Sequence, residues 1–440
     1  MKILHVNTHD HGGGAAQLAY NLFEGCHAAG HAAWLVVRER TRDDARIYGI
    51  GNDAHRHPWA RLCNAVIRPI AGNRLARAVG RPWSSARVFL GHEDFDFPGT
   101  WHLLQNAPEK PDIIHLHNLH GSYFDLRALP WLSRQIPTVV SLHDAWMTSG
   151  HCSHSFACER WRTGCGECPD LSIYPAVSRD ATAYNWRRKQ AIYARSRLHF
   201  AVPCRWMMDK LKASMVAPAI ASARIIPHGI DLSVFQPGDR IQARRALGLP
   251  EDAIILMFAS KGIRTNVAKD YVTLRATLEK LGAHPGNARL ISLAVGEEGS
   301  TETIGQAQLR FVPHIADRAM LAQFYRAADI YVHAARAEQW GLSITEAMAC
   351  GLPAVASHVG GIPDQVAEGQ SGFLVPVGDA NSMAARVGQL LENQPLREEM
   401  GRWAGQRAHA EFGVSKMTEN YLKYYKSVVA DFSTSMNKEL

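Results

Sequence analysis

Glu338 and Glu346 are the residues of this chain best spaced to do chemistry together, because a helix start lies between them. In the run Ala335-Arg-Ala-Glu-Gln-Trp-Gly-Leu-Ser-Ile-Thr-Glu-Ala-Met-Ala-Cys-Gly-Leu-Pro353, Gly341 ends a loop, and Leu342 to Cys350 holds good helix formers with Ser343 near the start. Gly351 and Pro353 then supply a stop signal. Glu338 therefore falls in the loop and Glu346 about one turn inside the helix. Backbone N–H groups near Trp340, Gly341, Leu342 and Ser343 have no carbonyl to bond within the helix, and they face a spot favourable to an anion such as a phosphate. Carboxylates bind neutral hydroxyls well and phosphates badly. Acids on both sides of an anion spot suit a ligand with sugar hydroxyls at each end and phosphates between, which is the shape of a nucleotide-sugar. Two glutamates taken alone are more often solvated surface residues, and as a pair they also fit a glycoside hydrolase. A hydrolase has no need of a phosphate-ready helix end between its two acids.

Other groups of residues bear on the same chemistry. Gly12-Gly13-Gly14-Ala15 follows an apolar run and opens a helical one, so its backbone can approach a bound group closely and aim N–H groups at negative charge. The pattern is not Gly-x-Gly-x-x-Gly, and a dinucleotide fingerprint is absent. Ser141-Leu-His-Asp-Ala-Trp146 stands directly after a buried strand, at the end where α/β sheets bind ligands, which makes His143 and Asp144 candidates. With 22 histidines in the chain, a structural histidine is the bland alternative. Ser260-Lys-Gly-Ile-Arg-Thr-Asn-Val-Ala-Lys269 stands between a strand and a helix and carries three cations. Gly150-His-Cys-Ser-His-Ser-Phe-Ala-Cys158 and Gly164-Cys-Gly-Glu-Cys-Pro169 hold Cys152, Cys158, Cys165 and Cys168. Four thiolates could hold a structural zinc, with His151 and His154 as substitutes, although only Cys165-x-x-Cys168 has tight ligand spacing. Disulfides and unbonded small core residues are the rival readings.

These groups are spaced along alternating strand and helix patterns, the mark of parallel sheets covered by helices. The strands expected in the first series are Ile3 to Asn7, Ala33 to Val37, Asp112 to Leu116, Thr138 to Leu142 and Leu198 to Val202, with a helix from about Ala15 to Ala29. The second series has strands Ile254 to Ala259, Leu290 to Val295, Arg310 to Val312, Ile330 to His333 and Ala354 to Ser357, and helices Tyr271 to Leu281 and Met320 to Ala327. Pro, Gly and Asp cluster between Pro227 and Pro250 as a linker. Met417, Tyr421, Tyr424, Val428 and Phe432 share one face of a last helix, which needs a surface to cover it.

A length of 440 residues, 46% hydrophobic with 20% charged, describes two or three globular domains with ample core. The start reads as a buried strand rather than a signal peptide, and no window holds the apolar run of a membrane span, so a cytoplasmic protein with reduced cysteines is expected. A net charge of +7 favours an anionic partner. Between Ala54 and His92 there is no Asp or Glu, while arginines recur among Trp59, Val66, Ile67, Ile70, Leu75, Trp83 and Phe89. That mixture suits an anionic membrane surface and a peripheral place on the inner face of the plasma membrane; a solvated basic face packed through its apolar side is the alternative. Nucleic-acid binding is permitted by charge, but no zinc-finger, RRM or KH pattern is present, and none is expected.

Glu-x7-Glu followed by Ala-Met-Ala-Cys-Gly-Leu-Pro resembles the signature of retaining glycosyltransferase family 4, and the order of the two series resembles its GT-B architecture over nearly the whole chain. His-Asp-x-Trp with the cysteine-rich segment and Cys-Pro resembles the colanic acid and exopolysaccharide branch. The resemblance implies two doubly wound Rossmann-like domains facing across a cleft. An acceptor-side domain would span 1–227, with the basic insertion at about 54–92 and the cysteine segment at 151–169. A donor domain would span 228–410, and a C-terminal helix at 411–440 would cross back to the first domain.

The resemblance further implies a sugar transferred from a nucleoside diphosphate sugar to a hydroxyl of a lipid-linked glycan. Glu346 would hold the ribose, Glu338 the transferred sugar, and His143 would contact that sugar, with Asp144 orienting it or fixing the acceptor. Gly13 and Gly14 would lie beside the donor phosphates. The family's diphosphate-binding Arg and Lys fall on Arg264 and Lys269, although the spacing departs from the usual one and Lys261 could take the arginine's place. Val359-Gly360-Gly361-Ile362-Pro363 resembles a family loop near the base or phosphates, and His228-Gly229-Ile230-Asp231 an interdomain signature with His where Asn is usual. Cations in place of a metal imply catalysis without a cofactor. A nucleotide-sugar epimerase on the same fold is the nearest competing activity.

Overall fold

A computed structural model describes residues 1–284 and 289–439. The chain forms two compact units, Met1–Ile226 with Thr418–Leu440, and Pro227–Met417.

The first unit is built on seven strands: β1 (Lys2–His9), β2 (Ala32–Glu39), β3 (Ile47–Gly49), β4 (Ile113–His117), β5 (Thr138–Ser141), β6 (Leu198–Val202) and β7 (Ile220–Ile225). Their order is β3-β2-β1-β4-β5-β6-β7, and every neighbouring pair is parallel. β4, β5 and β6 are buried throughout, as expected of strands covered on both faces by helices. The strand order reverses between β1 and β4, so the crevice beyond their carboxyl ends is where a ligand fits. In register His5 stands opposite His115, which sets two imidazoles side by side on one face.

The second unit has β8 (Ile254–Ala259), β9 (Leu290–Val295), β10 (Glu302–Ile304), β11 (Ala307–Val312), β12 (Ile330–His333), β13 (Ala354–Ser357) and β14 (Gly372–Val375). The order is β10-β11-β9-β8-β12-β13-β14, parallel except for the β10–β11 hairpin. Here the order reverses between β8 and β12. Leu256, Phe258, Leu278, Ile330, Val332 and Val387 belong to its buried core.

The acid-free stretch folds as a helical hairpin. Helix Pro58–Gly80 breaks at Gly72, whose φ of 78° only glycine adopts readily, and helix Pro82–Phe89 follows. The two limbs lie close enough that a Cβ on Gly80 would sit 3.2 Å from the Cα of Ala60. Trp59 Nε1 ties them by donating to the Val79 carbonyl at 3.1 Å.

The last helix, Val414–Glu439, contributes its residues from Thr418 onward to the first unit. Tyr421, Tyr424, Tyr425 and Val428 are buried there. The Tyr425 hydroxyl meets His115 Nδ1 at 2.5 Å, Ser141 Oγ meets the Tyr421 hydroxyl at 2.7 Å, and the Tyr424 hydroxyl donates to the Phe200 carbonyl at 3.1 Å.

Candidate active site

In the second unit the loops after β8 and β12 meet at the strand-order reversal. Lys269, at the end of the first loop, donates through Nζ to the Glu338 carboxylate in the second, with both side chains largely buried. His333, the last residue of β12, places Nε2 3.5 Å from the same carboxylate. Burial opposes ionisation of Glu338, yet the Lys269 ammonium, with His333 beside it, holds its carboxyl well below the usual range. Glu338 is thus an anion with one oxygen engaged. Its backbone is fixed as well: Gly361 N–H donates to the Glu338 carbonyl at 3.1 Å, and a side chain on Gly360, at φ +57°, would overlap that carbonyl. The Gly360-Gly361 loop therefore positions Glu338.

Helix Leu342–Ala349 follows, with Gly341 as an N-cap that brings no side chain to bond. The Gly341 N–H is not free, because Gln365 Oε1 accepts it at 3.0 Å while Gln365 Nε2 donates to the Gly341 carbonyl at 2.9 Å. The anion-facing donors are therefore the Leu342 and Ser343 N–H groups, which have no acceptor among the described residues. Trp340 is buried, edge-on to His228 and Phe412 with ring centroids 6.1 Å and 5.4 Å away. It packs the loop rather than lining an open face.

Glu346, one turn in, is buried; the Tyr325 hydroxyl donates to it at 3.0 Å and Arg318 Nη2 stands 3.4 Å away. Burial pushes its carboxyl up to about 7, against the opposing effects of Arg318 and Tyr325. The two glutamates thus differ in kind. Glu338 is a fixed anion, and Glu346 a carboxyl poised near neutrality that ligand hydroxyls can tip to the charged form.

Arg264 is not brought to Lys269. Its guanidinium pairs with Glu297 through Nε at 2.5 Å, donates to the Glu298 carbonyl at 2.7 Å and lies over the Phe311 ring. Lys261 is exposed and makes no ion pair among the described residues.

In the first unit, Gly12 and Gly13 follow β1 with φ of 78° and 71°, and Gly14 opens helix Gly14–Ala28. A Cβ at Gly12 or Gly13 would meet nothing, so the backbone angle and not space requires glycine. His143, just past β5, sets Nε2 3.0 Å from His117 Nδ1. Burial lowers its imidazole to about 4 despite the Asp144 carboxylate, so the ring is neutral at pH 7. Asp144 turns instead to His120 Nε2 at 2.6 Å and accepts the Trp146 N–H at 2.8 Å. His120 and Trp146 line a cavity of about 240 Å³ with Glu93, Phe97 and Ser122. Another, of about 730 Å³ in the second unit, contains none of these candidates.

None of the eight cysteines is joined in a disulfide. Cys168 Sγ lies 3.3 Å from His151 Nε2, and Gly150 N–H donates to Cys165 Sγ at 3.3 Å. Cys152, Cys158, Cys165, Cys168 and His151 nevertheless give no set of three ligand atoms all within 4.8 Å of one another; among the described residues only His5, His115 and His117 do. A closed zinc site of the cysteines is not assembled in this structure.

Several partners lay outside the sequence reading. His333 could have been found as the last residue of a strand at the ligand end, and His115, His117 and His120 as a histidine run along β4 and the loop after it. Gln365, Tyr325 and Arg318 carry no such signal.

The two sheets are also found in solved structures. A sucrose-phosphate synthase from Thermosynechococcus elongatus is 20% identical with a TM-score of 0.63, covering 98% of this chain and 99% of that one. Anabaena HepE, solved in complex with UDP-glucose, is 16% identical with a TM-score of 0.62, covering 97% and 100%. At such identities the likeness shows the fold, which is GT-B. Among curated relatives, the D-inositol 3-phosphate glycosyltransferase of Acidothermus cellulolyticus is 34% identical over 233 residues, 49% of this chain and 50% of the relative. One from Catenulispora acidiphila is 29% identical over 338 residues, 73% of this chain and 74% of the relative. The chain thus spans about half the length of the first curated relatives it matches. The description "Glycosyl transferases group 1" fits residues 296–407, which hold both glutamates and the helix between them. "Glycosyltransferase Family 4" fits residues 12–234, from the glycine loop through His143 to the end of the first sheet; with that match over more than half of its residues, the chain belongs to glycosyltransferase family 4.

Proposed function

We propose that the protein moves a sugar, with retention of anomeric configuration, from a nucleoside diphosphate sugar to a hydroxyl of a lipid-linked glycan during exopolysaccharide or surface polysaccharide synthesis. The observation that carries this reading is the second unit's set of an anionic Glu338, a poised Glu346, and the free N–H groups of Leu342 and Ser343 between them. Glu346 accepts the ribose hydroxyls and Glu338 those of the transferred sugar. Lys269 and the helix end stabilise the diphosphate as it departs, where negative charge develops in the transition state. Lys261 is the cation free to join them, since Arg264 is held by Glu297. The bond from the anomeric carbon to the phosphate oxygen breaks while a bond to the acceptor oxygen forms on the same face, and the acceptor proton passes to the leaving phosphate. Neither glutamate acts as a nucleophile. The neutral ring of His143 can contact the sugar without attracting the diphosphate.

The names of the relatives bear on the acceptor and the base. D-inositol 3-phosphate in the curated relatives favours an acceptor that itself carries an anion, and UDP-glucose in the HepE complex makes uridine the first base to try. The exopolysaccharide assignment rests on the cysteine-rich motif of the sequence.

Thermal stabilisation by UDP, GDP and ADP tests the donor site, because a ligand of the folded state raises apparent stability by about 2.7 kcal/mol at a hundred times its Kd. A shift for one base, lost in Glu346→Ala, is expected; no shift with any nucleotide refutes the reading. Turnover is expected to survive a chelator, and loss restored by a divalent cation would show that the cations do not suffice.

A further inference from the structure

The hairpin Pro58–Phe89 takes no part in the chemistry above, and its surface is unlike that of a soluble helix pair. Trp59, Leu62, Val66 and Ile70 fall within roughly 80° of arc on its first limb, given 3.6 residues per turn, and all are more than half exposed. Ile70 and Trp83 each expose 83% of their surface, and Phe89 is also exposed. Single exposed apolar residues are ordinary, but a stripe of four on one helix, with Trp83 and Phe89 exposed on the next, marks a surface that something covers. Among the described residues no helix is long and apolar enough to cross a membrane.

Charge identifies the cover. The hairpin's arginines divide into two groups. Arg77 and Arg81 reach Asp94, and Arg68 reaches Asp53, so these hold the hairpin to its unit. Arg61, Arg74 and Arg87 are exposed and make no ion pair among the described residues, and no acid occurs between Ala54 and His92 to neutralise them. A second copy docked through the same face would bring like charges together across a symmetric interface, which is unfavourable. We infer that the hairpin is a docking element for an anionic lipid bilayer, with the apolar stripe entering the headgroup region and Arg74 and Arg87, beyond the break at Gly72, meeting lipid phosphates. This goes beyond the transferase reading and does not depend on it, since vesicle binding needs no nucleotide.

Cosedimentation of the full chain with phosphatidylcholine vesicles, with and without phosphatidylglycerol, tests it. Binding is expected only to the anionic vesicles, and to weaken with salt. Each arginine near the surface is worth about fivefold, so Arg74→Gln and Arg87→Gln together are expected to weaken binding about 25-fold. Ile70→Ser with Trp83→Ser is expected to abolish it, with the nucleotide-dependent thermal shift unchanged in both variants as the control for folding. Equal binding to neutral and anionic vesicles, or none at low salt, overturns the inference. So does a concentration-dependent dimer that Ile70→Ser dissolves, which would assign the stripe to a second copy.

Discussion

Replacing Glu346 with Gln tests whether its burial serves a ligand rather than the fold. The side chain is 11% exposed, and burial raises its carboxyl from the ordinary 4.5 to about 7. In that window the folded chain holds a proton that the unfolded chain has released, so the protein loses stability as pH rises from 4.5 to about 7 and no further above it. At 1.36 kcal/mol per pH unit the full loss is about 3 kcal/mol. Glu346→Gln keeps the shape, leaves an oxygen for the Tyr325 hydroxyl and removes the charge. Arg318, a third exposed, loses its partner to water at little cost. The variant should therefore match the parent near pH 5 and exceed it by about 3 kcal/mol at pH 8, or on the order of 6–12 °C in the melting of a unit this size. Nucleotide affinity should move the other way, weakening about tenfold, because a neutral amide accepts ribose hydroxyls less strongly than a carboxylate. Melting temperatures across pH 5 to 8, with and without UDP, read both effects. A difference between variant and parent that does not change with pH would refute the reasoning about burial, and unchanged nucleotide affinity would remove Glu346 from the site.

Lys269→Met leaves Glu338 without its cation and the diphosphate without its strongest support, so kcat should fall by about 10²–10³ in a coupled turnover assay; a loss under tenfold would assign the role elsewhere. Gly360→Ala forces a side chain onto the Glu338 carbonyl at φ +57°, which should lower the melting temperature and cut kcat/KM at least tenfold, and full activity would show that the position of Glu338 is immaterial. His5 is buried with neither ring nitrogen bonded among the described residues, and burial lowers its imidazole to about 3. The unfolded chain therefore binds a proton below pH 6.5 that the folded chain refuses, so stability falls as pH drops from 6.5 towards 3. His5→Phe should gain about 2 kcal/mol over the parent on going from pH 7.5 to pH 5, read as urea midpoints, and a constant difference would contradict this.

The long central strands were legible because they are continuous apolar runs; β6, β8, β9, β12 and β13 fall where the sequence places them, and the others expected match within a few residues. The strands missed, β3, β7, β10 and β14, are the four edge strands of the two sheets. β3 and β10 have only three residues each, β14 only four, and β7 is mostly part-exposed, so none offers a long buried run. The basic insertion showed its composition but not its hairpin, since the turn depends on the backbone of a single glycine, Gly72. At the site, local spacing was enough to name Glu338, Glu346 and Lys269. It could not show that Glu297, 33 residues beyond Arg264, holds that arginine, or that Gln365 takes the N–H of Gly341. Both are partners supplied by other loops, and sequence distance conceals them. Asp144 was read beside His143, its neighbour in sequence, yet its hydrogen bond goes to His120, which the fold brings from the end of β4.

The helix Val414–Glu439 makes the first unit discontinuous, because residues 227–417 separate its two pieces. A ribosome delivers the seven strands of the first sheet early, but the hydroxyls that answer His115 and Ser141 belong to Tyr425 and Tyr421 and emerge only after the whole of the second unit has been made. Until then the sheet has an apolar face uncovered and two buried polar side chains without those partners, while the second unit is already complete in sequence. The usual order of synthesis, first domain first, is thereby inverted: the later unit can close before the earlier one. A nascent chain released short of Tyr421 would expose that face to other chains, so aggregation of such fragments, rather than loss of the nucleotide site, is the cost of the helix's late arrival.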